Sequence, residues 1–252
     1  MGVTSSLLPS TLIGSVVAGG PRPASALSDT ALADLPALLL PALGETLTMV
    51  GIVMVLVVAI GTPIAVCLHN MAPGGLFENP KVYGILSWIV NIGRSLPFLV
   101  LMAAIVPFTR FITGTNIGIA AAVVPMTLAG IPFFARIVEN SLRDVPRSVT
   151  QAAKASGGST LQIIRTAQLG EAVPAIMGGL TINTIAMIEY SAIAGTIGAG
   201  GIGYVAVTYG YQRFDNTVML ATVILLILLV TTVQLVGDRL VKVTTPHLRR
   251  RA

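Results

Sequence analysis

The sequence predicts an all-α membrane protein with about five transmembrane helices. Of its 252 residues, 54% are hydrophobic and 10% are charged, whereas a soluble globular domain carries roughly 25% charged residues. Glycine, proline and charge concentrate in the segments between long apolar runs. A helix needs about 20 mainly apolar residues to cross the hydrocarbon core of a bilayer. Several of these runs meet that length.

Three spans follow from gaps between charged residues. No formal charge separates Glu45 from Glu78, 25 uncharged residues lie between Arg110 and Arg136, and 22 lie between Asp215 and Asp238. We therefore predict spans at residues 46–68, 115–134 and 217–236. Two further spans each contain one charge, Arg94 in residues 89–108 and Glu189 in residues 174–194.

Residues 1–43 precede the first span and are interpreted as an N-terminal extension, mobile or interfacial. The apolar stretch at 7–18 and Ala24-Ser25-Ala26 resemble a signal peptide, but the positive segment that normally precedes such a stretch is missing. A cleaved signal is the alternative interpretation. The predicted permease region covers residues 44–242, and a basic tail covers residues 243–252.

Orientation follows from the basic residues, because cytoplasmic loops carry an excess of Lys and Arg. With a cytoplasmic C-terminus, eleven of the fifteen basic residues lie inside, three lie outside, and Arg94 lies within a span. We predict an external N-terminus and a cytoplasmic C-terminus in the cell membrane. The inner residues are Lys81, Arg136, Arg143, Arg147, Lys154, Arg165, Arg239, Lys242 and Arg249 to Arg251.

The longest hydrophilic segment, residues 136–171, is cytoplasmic in this topology. Ser148 is expected to cap a helix, Gly157-Gly158 to form a turn, and a second short helix to follow. Gly170 and Pro174 are expected to mark the entry to the fourth span. This segment is the natural contact for a soluble partner.

Several classes of function lack support. The basic residues are spread over separate loops, which gives no nucleic-acid-binding face. Cys67 has no partner cysteine, and His69 and His247 have no companions at ligand spacing. We expect no catalytic residue, no metal site and no cofactor in this chain.

The segment Gln151-Ala152-Ala153-Lys154-Ala155-Ser156-Gly157, followed by Leu169, resembles the cytoplasmic signature of ABC-importer permeases. The resemblance implies that a small-residue helix enters a groove of an ATPase subunit. Gln151, Ala167 and Gly170 depart from the Glu, Ile and Pro usual in that signature. The implied docking residues are Gln151, Ala152, Ala153, Gly157 and Leu161.

A wider set of motifs resembles the MetI-like permease family of bacterial methionine importers, over residues 44–242. The motifs are NPKVY (79–83), IVNIGRSLPF (89–98), PFTR (107–110), GTNIG (114–118), RIVEN (136–140) and GAGGIG (198–203). The resemblance implies a type I ABC importer permease fold in the inner membrane. It further implies a homodimer, two ATPase subunits that hold ATP and Mg²⁺, and an external methionine-binding lipoprotein.

Individual residues carry further hypotheses. Arg94, Gly200 and Gly201 are interpreted as structural or gating residues. The two glycines belong to a flexible outer loop or a closely packed turn before the last span, and a gate contact with the binding protein is the functional alternative. GAGGIG formally matches a dinucleotide fingerprint, yet it follows a membrane span where that fingerprint requires a strand. The polar residues expected to line the substrate pathway, or else to hydrogen-bond neighbouring helices, are Asn183, Thr184, Tyr190 and Ser191. Glu189 is interpreted as a pathway residue that meets the substrate ammonium, or else as a carboxylate exposed to water at the outer edge.

Two alternatives stay open. The first is a permease of the same architecture for another amino acid or a small peptide. The second is an ion-coupled secondary transporter, which would normally show repeats or more ionisable groups within its spans.

Overall fold

A computed structural model describes residues 30–245 of the chain. That part is helical and contains no strand. The predictions for residues 1–29 and 246–252, including the signal-like stretch and the triple arginine, lie outside it. The helices are α1 (Leu35–Met71), α2 (Pro80–Ser95), α3 (Phe98–Ala104), α4 (Val106–Thr113), α5 (Ile119–Arg143), α6 (Arg147–Ala155), α7 (Thr160–Gln162), α8 (Leu169–Thr196), α9 (Gly201–Val205) and α10 (Asn216–Thr244).

The core forms between α1 and α5. Met49, Val53 and Val57 recur on α1 at helical spacing and have no exposed surface, so one stripe of the helix faces its neighbours. On α5, Met126 and Phe134 are equally buried. α5 is the central helix: 61% of its apolar 18-residue stretch is buried, compared with 11% of the corresponding stretch of α10.

Glycines lie where the long helices cross. A Cβ built on Gly61 of α1, Gly179 of α8 or Gly237 of α10 would meet a side chain at 3.2, 2.1 or 2.1 Å, respectively. Small residues at such crossings let helices approach closely, which favours packing in a membrane where the hydrophobic effect between helices is weak.

The span predicted at 89–108 is broken in the structure. α2 ends at Ser95 and α3 begins at Phe98, with a bend of 101° between them. Pro97 explains the break, because proline disfavours the α conformation of the residue before it, and Leu96 has extended backbone angles of −83° and 126°. Within residues 30–245, four helices are long and apolar enough to span a membrane, and the bent pair brings the number to five if it counts as one span.

Other boundaries differ from those predicted. α1 begins at Leu35, so it extends the expected span at 46–68 toward the N-terminus. Gly170 and Pro174 do not mark a helix entry, because α7, a π-helical turn (Ile163–Gln168) and α8 form one continuous run, Thr160–Thr196. Ser148 makes no capping bond, since α6 already begins at Arg147 after Pro146.

The short α9 leads through a second π turn (Ala206–Tyr211) to Asp215, which caps α10. Asp215 accepts hydrogen bonds from Val218 N at 3.0 Å and from the backbone and hydroxyl of Thr30 at 2.8 and 2.5 Å. Burial alone raises the pKa of Asp215, but these hydrogen bonds outweigh it and hold the pKa below its usual value. The charged carboxylate thus joins the start of the described chain to the last helix.

Candidate docking and translocation sites

The predicted docking segment forms an exposed helical hairpin. None of the residues of α6 is buried, and Leu161 of α7 is 56% exposed. Gly157 N and Gly158 N donate to Lys154 O and Ala153 O, at 3.0 and 3.1 Å, which closes the end of α6. Gly157 has a φ of +77°, a conformation that favours glycine at this position of a helix end. The expected helix, glycine turn and second helix are therefore present.

The hairpin is joined to the bundle by a pair of buried amides. Asn70, at the end of α1, and Gln168, in the first π turn, exchange two hydrogen bonds of 2.9 Å each. Their exposed fractions are 0% and 2%. Buried amides are costly to leave unpaired, so this pair holds the π turn to the end of α1.

Glu139 of α5 forms a second connection near the same end. Its fully buried carboxylate binds Arg136 at 2.5 Å and Arg143 at 2.6 Å. Both arginines then reach α2. Arg136 donates to Ser87 at 3.0 Å and Asn91 at 2.8 Å, and Arg143 donates to the Tyr83 hydroxyl at 2.8 Å. One carboxylate thus orients two cations that hold α2 against α5.

At the opposite end of the bundle, Gly200 and Gly201 form a closely packed turn. Their φ values are +87° and +78°. Gly201 N donates to Glu45 at 2.6 Å, and Ile202 N donates to the Thr46 hydroxyl at 3.0 Å. A Cβ on Gly200 would lie 2.5 Å from the Glu45 carboxylate. Of the two interpretations made from the sequence, the structure matches the packed turn.

The five predicted pathway residues lie on different faces of α8. Asn183 and Ser191 are buried, Thr184 and Tyr190 are half-buried, and Glu189 is exposed. The Asn183 amide nitrogen donates to Met54 Sδ at 3.3 Å, while its oxygen lacks a partner among the described residues. The ring of Tyr190 stacks on Phe98, with centroids 4.3 Å apart.

Thr184 and Ser191 bond their own helix. Their hydroxyls donate to Leu180 O at 2.8 Å and Ile188 O at 2.7 Å, respectively. Arg94 lies in the last turn of α2 and is exposed, and it forms no ion pair with other residues in the range 30–245. A cation is favourable at a helix C-terminus.

Sequence reasoning missed Asn70, Gln168, Glu139 and Glu45. Glu139 carried a usable signal, since Arg136, Glu139 and Arg143 stand three and four residues apart and share one helix face. Asn70 and Gln168 are 98 residues apart in the chain. No local pattern indicates that they meet.

In the part of the chain that the structure describes, four or five membrane-length helices and an exposed hairpin at one end define a polytopic membrane protein. The chain belongs to the family of binding-protein-dependent transport system inner membrane components, which matches residues 58–250. It is accordingly a multi-pass protein of the inner membrane, as expected from the sequence.

Individual relatives narrow this class and confirm the resemblance to MetI-like permeases. The probable D-methionine transport system permease protein MetI of Vibrio cholerae is 48% identical over 205 residues, which is 81% of this chain and 91% of the relative. The corresponding protein of Pasteurella multocida is 40% identical, over 78% and 90% of the two chains.

A solved structure confirms the predicted fold. A chain of the MetNI methionine ABC transporter in an inward-facing conformation superposes with a TM-score of 0.83 at 40% identity. The match covers 86% of this chain and all of that one.

Proposed function

We propose that this chain is the membrane-spanning subunit of an ATP-driven methionine importer. Two copies form the translocation pathway, two ATPase subunits bind the α6–α7 hairpin from the cytoplasm, and an external binding protein delivers methionine. The N-terminus is outside and the C-terminus inside, in agreement with the distribution of basic residues. ATP and Mg²⁺ belong to the ATPase subunits.

The observation that carries the proposal is the hairpin itself. No residue of α6 is fully buried and only Val149, Thr150 and Ala153 are half-buried, so packing in its own chain stabilises this helix little, although helix formation in proteins depends largely on such packing. Gln151, Ala152 and Gly157 present small or neutral groups on its surface. These side chains allow close approach of a groove on a partner.

Movement of the docked hairpin has two routes into the membrane. The Asn70–Gln168 pair transmits the movement to α1, which packs with α5 in the hydrophobic core. The Glu139 network lies at the same end and holds α2 to α5. These buried contacts support a change between outward and inward access in which the ends of the helices move together.

Docking is tested by replacing Gly157 with tryptophan. The left-handed backbone costs a non-glycine residue about 1–2 kcal/mol, and no atom lies within 4 Å of a Cβ built there. The added ring therefore projects toward the ATPase, and we expect the amount of co-purified ATPase to fall at least about tenfold, while membrane insertion stays normal.

Gly114→Trp is the matched control. Gly114 has a φ of +74° and equally open surroundings, but it ends α4, far along the chain from the hairpin. We expect this variant to retain its ATPase. Equal co-purification of the ATPase with Gly157→Trp and Gly114→Trp would reject the docking assignment.

Glu189 is proposed to face the substrate pathway. It lies seven residues before the end of α8, about 10 Å at the usual helical rise, and it shares an exposed face with Ile182, which is 59% exposed. It makes no hydrogen bond or ion pair with other residues of the described range. A carboxylate facing lipid there costs up to about 2.5–3.5 kcal/mol. A watered pathway lowers this cost and lets the carboxylate meet an ammonium group.

Replacing Glu189 with glutamine is therefore expected to lower methionine uptake about tenfold in reconstituted vesicles. Glu171→Gln is the control, because Glu171 is an exposed carboxylate in the first turn of the same helix. If Glu189 instead faces lipid, its neutralisation raises the thermal unfolding midpoint and leaves uptake unchanged. That result would remove Glu189 from the pathway.

The substrate is tested with the complete complex and its binding protein. ATP hydrolysis stimulated by methionine, and not by other members of a panel of amino acids and short peptides, is the expected result. Stimulation by another member alone would indicate a permease of the same architecture with a different substrate. Uptake without any ATPase would indicate an ion-coupled transporter.

A further inference from the structure

A polar cavity of about 510 Å³ lies between α6 and the ends of the long helices. Its walls come from the end of α1, the α1–α2 loop, the end of α5, α6 and Gln168. No Asp or Glu is among the described residues that line it. The basic groups of the lining are His69, Arg143, Arg147 and Lys154.

Several side-chain hydrogen-bond donors around this cavity have no partner among the described residues. Arg147 and Lys154 form no ion pair within residues 30–245, and Arg143 is only partly neutralised by Glu139. The side chains of Thr150 and Gln151, on the same helix, make no hydrogen bond within that range either. Like charges facing one space repel one another. An anion in the cavity would offset this repulsion and accept several hydrogen bonds.

We propose that the cavity binds one phosphate group, supplied by the headgroup of an anionic lipid or by free phosphate. Arginine forms paired hydrogen bonds with phosphate oxygens, and lysine adds a compact charge. The cavity adjoins the ends of α1 and α5, the level at which a bilayer presents its headgroups. The occupant bridges Arg143 of α5 to Arg147 and Lys154 of α6, and so fixes the hairpin against the bundle.

This inference goes beyond the proposed transport function, because anion binding is measured without transport. The intact complex of permease and ATPase is placed in nanodiscs of phosphatidylcholine, with or without phosphatidylglycerol. Native mass spectrometry counts retained phosphatidylglycerol, and a titration with inorganic phosphate follows the thermal unfolding midpoint. The test variant is Arg147→Gln/Lys154→Gln. The control is Lys242→Gln, at the end of α10 and outside the lining.

We expect the wild type and Lys242→Gln to bind one of the two probes, and the double variant to bind it at least about tenfold more weakly. Retained phosphatidylglycerol without a response to phosphate identifies a lipid headgroup. A response to phosphate without retained lipid identifies the free ion. Equal binding of both probes by wild type and double variant would overturn the proposal. Binding of neither probe by the wild-type complex would also overturn the proposal. If a probe then binds once the ATPase is removed, an acidic side chain of the ATPase fills the cavity in place of the phosphate group.

Discussion

Replacing Glu139 with glutamine is expected to destabilise the protein more than any other single change of charge in residues 30–245. Glu139 has no exposed surface, and the side chain of Arg136 is only 13% exposed. Glutamine keeps the shape of the side chain but removes its charge, which leaves the Arg136 guanidinium with its neutral partners Ser87 and Asn91 and no counter-ion. Loss of one member of a buried ion pair costs about 3–5 kcal/mol.

The measurement is the thermal unfolding midpoint of the purified permease in detergent. A loss of this size corresponds to a fall of about 10 °C for a chain of this length. Uptake is expected to fall as well, because Arg136 and Arg143 would no longer be oriented toward Ser87, Asn91 and Tyr83 of α2.

Two further variants make the Glu139 prediction specific. Asp144→Asn removes an exposed carboxylate just past the end of α5 that forms no ion pair among the described residues, so its midpoint should stay within about 2 °C of wild type. The pair Arg136→Gln/Glu139→Gln removes both charges and should recover part of the lost stability. A midpoint for Glu139→Gln that matches Asp144→Asn would refute the structural role of the ion pair.

Replacing Gly203 with alanine is the second change for which we expect a large effect. A Cβ on Gly203 would lie 2.2 Å from the carbonyl oxygen and 2.5 Å from the Cα of Ala192. These are backbone atoms of α8, so rotation of a side chain cannot relieve the contact. Overpacking costs about 1–3 kcal/mol or more, and we expect the upper end of that range.

The expected movement of α9 away from α8 also has a local signature. It should break the hydrogen bond between Gly201 N and Glu45, which hydrogen exchange at Gly201 and Ile202 would report as faster exchange. Gly51→Ala is the matched control, because no atom lies within 4 Å of a Cβ built on Gly51 of α1. Alanine is favoured over glycine in a helix by about 1 kcal/mol, so this control should be neutral or slightly stabilising. Unchanged exchange and stability in Gly203→Ala would contradict the packing of the turn.

Much of the fold follows from local features of the sequence. The spans predicted at 46–68 and 217–236 lie within α1 and α10, and the span predicted at 115–134 coincides with α5 from Ile119 onward. A long stretch without charge can be identified from each segment of the sequence alone. The hairpin was also predictable, since Gly157 and Gly158 punctuate a helix-forming stretch. Pro97 is a local signal for the break between α2 and α3, but the apolar run at 89–108 does not by itself indicate the bend of 101°.

Some residues of the candidate site were also identifiable from the sequence, whereas the positions of others depend on tertiary packing. Gln151, Ala152 and Gly157 stand together in the chain, so a short motif identifies them. Glu189 was identifiable as a charge in an apolar run, but its exposed position on α8 was not. Asn183 and Glu189 are both polar residues of one helix, and only the packing of α8 on α1 and α5 buries the first and exposes the second.

By itself, the sequence determined a multi-span membrane protein with its longest hydrophilic loop built as a helical hairpin. Those properties depend on apolar length, charge and turn residues, which act over a few helical turns. The tertiary structure decided that Asn70 meets Gln168 and that four basic groups surround one cavity. It also decided that Glu139 of α5 orients two arginines that bind α2. These contacts join segments far apart in the chain, and only the mutual packing of the helices fixes which polar groups must satisfy one another away from water.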